Sequence, residues 1–195
     1  MKNWLFLVLV FVSSHSFGQG FVQGIMGRLS FGLKAGANYS NYTQENFSSD
    51  GLVGFHAGAV VDFRITRNLF IQEEFLFSSQ GAKIKGDVFN DQNIKVNYFT
   101  VPFLLKYRTN MGLYLEAGSQ VGMRTSENVS NAQIGDFAKR LDLSAAGGLG
   151  YQSKSGFGFG VRYVAGLSKV GDYQISATKP DFKNSVMQAS VFYIF

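Results

Sequence analysis

Ten ionisable residues fall on one face of the chain when it is read with a period of two: Lys34, His56, Asp62, Arg64, Glu74, Lys106, Arg108, Glu116, Asp142 and Arg162. Both signs are present in similar numbers. A charge withdrawn from water needs a hydrogen-bonded partner of opposite sign. If this face lines a narrow bore, the side chains pair across it and hold it closed. The sharper alternatives are a narrow pore and a barrel enzyme that uses these groups on lipid or peptide. Enzymatic use needs a nucleophile or base with an orienting partner in reach. His56 is the only histidine beyond residue 15, and no motif sets a serine beside it and Asp62. A lone inward histidine reads as a hydrogen-bonding lumen residue, so no catalytic residue is expected. One such histidine and dispersed carboxylates do not make a metal site. Gly148 and Gly150 sit mid-strand, where glycine relieves crowding and does not form a phosphate loop. No cofactor is expected.

The elements that must position these groups are strands. Residues Leu29 to Tyr39 set Phe31, Leu33, Ala35, Ala37 and Tyr39 against Ser30, Gly32, Lys34, Gly36 and Asn38. Such alternation marks a strand with two different faces. Val53 to Ile65 alternates likewise. Six further segments follow, near Leu69 to Ser79, Ile94 to Arg108, Leu113 to Arg124, Leu141 to Gln152, Phe157 to Leu167 and Ser185 to Phe195. Their connections alternate in length. Thr66 to Asn68, Thr109 to Gly112 and Ser153 to Gly156 are short turns. Ser40 to Leu52, Gly81 to Asn93, Thr125 to Arg140 and Ser168 to Asn184 are longer and polar. Short turns on one side and long loops on the other is the pattern of an outer-membrane barrel. The expected fold is therefore all-β, an eight-stranded antiparallel up-and-down transmembrane β-barrel preceded by a cleavable signal peptide.

The first residues carry the export reading. Lys2 supplies the positive start, Trp4 to Val12 an apolar run, and Ser13 to Gly18 a small, polar stretch with Ser16 and Gly18 at −3 and −1. Nine apolar residues are too few for a helix to cross about 30 Å of hydrocarbon. Three segments are expected: a signal peptide over 1–18, a short periplasmic segment over 19–28, and the barrel over 29–195. The chain has no Cys, which removes disulfides, thiolate chemistry and a lipid-anchoring thiol. Its net charge of +5 is scattered, so nucleic acid is not an expected partner.

The same period would suit a soluble lipocalin-like ligand-binding barrel with its faces reversed. Four features favour the membrane. The polar face is crowded with glycine (Gly32, Gly36, Gly54, Gly58, Gly118, Gly122, Gly148, Gly150, Gly158, Gly160), which suits a narrow bore better than a wet surface. Aromatics such as Phe31, Tyr39, Phe63, Tyr107, Tyr151, Phe157 and Phe195 fall near strand ends, where interfacial girdles lie. Only 16% of residues are charged against 20 Phe and 9 Tyr, whereas a soluble domain carries about 25% charged residues. On the last strand Met187, Ala189, Val191, Tyr193 and Phe195 alternate outward, like a recognition signal for the outer-membrane assembly machinery. Glu73 fits poorly, since it would face lipid between Ile71 and Phe75.

Several stretches then resemble the PorT-like outer-membrane β-barrel family of Bacteroidetes-type bacteria. They are FGLKAGANYSNY (31–42), GFHAGAVVDFRITRNLFIQEEFLFSSQGAK (54–83), NYFTVPFLLKYR (97–108), LDLSAAGGLGY (141–151) and SVFYIF (190–195). The family pattern has a proline in the third strand, in a Gln-Pro-Glu-like run; here Gln72 is followed by Glu73 and Glu74. The resemblance implies an outer-membrane address and eight strands. The function expected is non-enzymatic: a structural or partner-binding barrel in outer-membrane lipid, with a protein or glycan partner at the loops. Ser40 to Leu52 (Tyr42, Phe47) and Ser168 to Asn184 (Tyr173, Phe182) mix aromatics with polar groups suited to that role.

Overall fold

A computed structural model describes residues 24–43, 49–86, 89–129, 141–167 and 183–195. Eight strands run β1 (Leu29–Thr43), β2 (Ser49–Arg64), β3 (Leu69–Gly86), β4 (Phe89–Arg108), β5 (Leu113–Val129), β6 (Leu141–Gln152), β7 (Phe157–Gly166) and β8 (Lys183–Ile194). Each pairs antiparallel with its sequence neighbours, and β1 pairs with β8, from Gly32↔Ile194 to Thr43↔Lys183. The sheet therefore closes into an eight-stranded barrel without an edge. Closure gives every strand a pairing neighbour on both sides, the condition for crossing a bilayer with strands. The signal-peptide reading over 1–18 lies outside the described residues.

The faces follow the alternation in the sequence. Phe31, Leu33, Phe55, Phe103, Leu105, Leu115, Leu149, Phe159, Val161 and Val191 are all more than half exposed. Their neighbours of opposite parity are buried or half-buried. A surface of this kind is an error in water and a requirement in hydrocarbon. On β8, Met187, Ala189, Val191, Tyr193 and Phe195 all point outward.

Three tight turns gather at one end of the barrel, at residues 65–68, 109–112 and 153–156. Ile65 N donates to Leu69 O, Thr109 N to Leu113 O and Ser153 N to Phe157 O. Gly112 and Gly156 close the last two with φ of 99° and 93°, a region that L side chains avoid. The opposite end departs from expectation. Gly81 to Asn93 reads as a polar loop, but β3 runs to Gly86 and β4 begins at Phe89. Likewise β1 reaches Thr43, β2 starts at Ser49 and β5 extends to Val129. Polarity marks where a strand leaves hydrocarbon; it does not stop the backbone from pairing in water.

Pro102 is buried on the inward face of β4. The β3–β4 register is continuous on both sides of it, yet no pairing joins Glu74 to Pro102 or Phe75 to Val101. Proline has no N–H to give the ladder. The break lies beside Glu74, the most connected residue of the interior.

Candidate functional site: the barrel interior and its short-turn mouth

The centre of the interior is built from every second strand. Lys34 (β1), Glu74 (β3), Glu116 (β5) and Arg162 (β7) are 0–6% exposed. Arg162 donates Nη1 to Glu74 Oε2 at 2.7 Å and Nη2 to Glu74 Oε1 at 2.8 Å, and its Nε reaches Glu116 Oε1 at 2.6 Å. Lys34 Nζ donates to Glu74 Oε1 at 2.9 Å, and Gln72 Nε2 donates to the same oxygen. β3 and β7 lie opposite each other in a ring of eight, so the bidentate Arg162–Glu74 pair crosses the full bore. Two cations face two carboxylates, and the paired geometry offsets the desolvation that burial imposes. Gly148 makes room for this. A Cβ there would stand 2.8 Å from Glu116 Oε1 and 2.7 Å from the Val161 carbonyl oxygen.

Towards the short turns, Lys106 Nζ donates to Gln72 Oε1 at 2.8 Å and to Asp62 Oδ2 at 3.5 Å. The ammonium also lies over the rings of Tyr114 and Phe192, at 4.8 and 5.1 Å. Tyr114 and Phe192 meet edge to face and pack with Val60 and Ile194 in a small apolar layer. At the other end of the bore, near the start of β6, Asp142 is buried and accepts from Ser144 Oγ at 3.2 Å.

His56 forms a second cluster. Its Nδ1 lies 2.7 Å from Asn38 Oδ1 and its Nε2 lies 2.8 Å from Ser190 Oγ. Asn38 Nδ2 donates to Phe55 O, Ser78 Oγ and Ser79 O, which fixes Oδ1 towards the imidazole. Nδ1 therefore carries the proton, and Nε2 accepts from the serine hydroxyl. The order of groups is that of a base-activated hydroxyl. His56 is 1% exposed and Ser190 9%, however, both on the inner face of a packed barrel.

Eight of the ten charged residues singled out in the sequence are buried inside the barrel. The other two differ. Arg64 is exposed and Arg108 half-buried at the mouth ringed by the short turns, and neither joins the central network. Both stand at the last inward position of their strands, one step beyond the packed layer. Charge alone does not reveal the neutral members: Asn38, Gln72, Ser78, Gln188 and Ser190. All share the inward parity, which was the available signal.

This is the architecture of a bacterial outer-membrane β-barrel: closed, apolar outside, polar inside, short turns at one end. The sequence matches the family model for the outer membrane protein beta-barrel domain over residues 15–172, and the chain belongs to that family. β8, which closes the barrel, lies beyond the matched segment. No curated protein matches the sequence significantly. Solved structures share the fold at low identity. Ail, the attachment invasion locus protein of Yersinia pestis, is 13% identical, with a TM-score of 0.53 over 85% of this chain and 98% of that one. Neisserial surface protein A is 15% identical, with a TM-score of 0.53 over 85% and 97%. The outer membrane protein OprG of Pseudomonas aeruginosa is 12% identical, with a TM-score of 0.51 over 85% and 95%.

Proposed function

We propose that this chain is a non-enzymatic outer-membrane barrel of the PorT-like kind, with a lumen closed by its own charged residues and partners engaged through its long loops. The observation that carries the reading is the Arg162–Glu74 pair, which crosses the bore and is tied to Lys34 and Glu116. A bore filled in this way leaves recognition to the segments that join strands at the far end. The expected segments are a signal peptide over 1–18, a short periplasmic stretch over 19–28 and the barrel over 29–195, with the β8 alternation ending at Phe195 serving barrel assembly. The burial of His56 and Ser190 supports a structural role for that cluster, linking β1, β2 and β8 at the barrel closure.

The partner is a protein or glycan that meets the aromatic and polar residues of the 168–184 segment. Replacing residues 168–182 with a short Gly/Ser linker is expected to leave folding intact and to abolish partner capture from cell-surface extracts. An unchanged set of captured partners removes that segment from the account.

A further inference from the structure

The charges of this barrel are sorted along its axis. None of the thirteen Asp and Glu residues lies in residues 1–28 or in the three short turns, whereas Arg28, Arg64, Arg67, Arg108 and Lys154 all lie at the short-turn end. Arg28, in the turn just before β1, sits beside Arg64 at the end of β2, where Arg64 N donates to Arg28 O at 2.9 Å. Like charges held this close repel. Among the described residues, no carboxylate lies within ion-pair distance of any of the five. The nearest inward carboxylate, Asp62, is taken by Lys106.

Arg28, Arg64, Arg67 and Arg108 line one hollow of about 410 Å³. The Arg108 guanidinium is held there by stacking on Phe70, 4.7 Å from the ring centroid. A second hollow of about 970 Å³ shares Arg67 and Arg108 and continues across the mouth past Asn68, Asn110, Gln152 and Lys154. Arg64 and Arg108 have the inward parity of the lumen residues, so they open to the water below the mouth and not to lipid around it, and Arg28 lines the same hollow from the turn before β1.

We infer that this mouth binds an acidic peptide segment of a periplasmic partner. Short turns face the periplasm in barrels of this class. The planar guanidinium forks match carboxylates in pairs. The amide side chains in the adjoining hollow supply donors and acceptors for an extended backbone, and the combined mouth is far larger than one oxyanion requires. This role is separate from the loop recognition proposed above, because it lies at the opposite end.

The test uses the full barrel, refolded into nanodiscs of zwitterionic lipid, and a fluorescent hexaglutamate peptide. Its controls are hexaglutamine, inorganic phosphate and nanodiscs containing phosphatidylglycerol. The peptide is expected to bind, to weaken as salt rises, and to lose at least tenfold in affinity in the Arg28→Gln/Arg64→Gln/Arg108→Gln protein. Arg28→Gln/Arg67→Gln leaves the Phe70 stack untouched and gives the same direction if the triple variant fails to fold. Equal binding of hexaglutamine, or full affinity in both variants, overturns the inference. So does displacement by phosphate at equal concentration, which marks a site for single oxyanions. Loss of peptide binding in phosphatidylglycerol nanodiscs assigns the arginines to lipid headgroups and overturns it as well.

Discussion

Glu74 carries the interior: one carboxylate receives Lys34, Gln72 and both Nη groups of Arg162, while Arg162 also holds Glu116. Removing one member of a buried pair leaves the rest charged and unpaired, which is more damaging than removing the pair. Glu74→Ala is therefore expected to destabilise the barrel by about 3–5 kcal/mol, read as a lower urea midpoint for the heat-modifiable form. Glu74→Ala/Arg162→Ala should lose less than the sum of the two single variants, since neither member of this pair is left facing the space of the other, although Lys34 and Glu116 each lose a partner. Additive losses mean that the pair does not couple. Parity placed the ten charges on one face of the sequence, and it did so for Arg64 and Arg108 although they open to water. Their pairings were hidden because they are long-range: Lys34 meets Glu74 across 40 residues, Arg162 meets Glu74 across 88, and His56 meets Ser190 across 134. Only the closed register sets those distances.

At the scale of the element, β3 holds the one lipid-face anomaly among the described residues. Glu73 is half-buried on the outer face, between Val61 on β2 and Phe103 on β4. Among the described residues its carboxylate has no hydrogen-bond or ion-pair partner. No register shift occurs at this position, so a local bulge does not turn it inward. Replacing Glu73 with Leu is expected to raise stability by about 1 kcal/mol, as for a carboxylate removed from lipid between the midplane and the interface. A loss of stability would mean that the carboxylate has a partner in the membrane. The strand cores were legible because their outer residues are almost uniformly apolar. The strand ends were not: Lys83 and Asn93 look like loop residues, yet they pair with each other across β3 and β4. Pro102 was equally silent, since its effect is a missing rung between two strands and not a break in its own.

Over the whole molecule, each surface follows from what it meets. Lipid meets the aromatic and aliphatic outer face, the bore is filled by its own polar and apolar side chains, and the short-turn end presents basic side chains without acidic ones. Closure of β1 on β8 makes these three surfaces separate and explains why glycine is concentrated on the inner face, where an eight-stranded bore has little room. The eight-strand count could be read from the spacing of turns. The diametric ion pair could not, because it depends on which strands face each other across the ring. The central claim, a closed outer-membrane barrel, is tested most directly by planar-bilayer recording of refolded, heat-modifiable protein. The account predicts no channel steps above the lipid baseline at either polarity. Stable unitary steps from the heat-modifiable species would contradict it, and would mean that the Arg162–Glu74 crossing does not shut the bore.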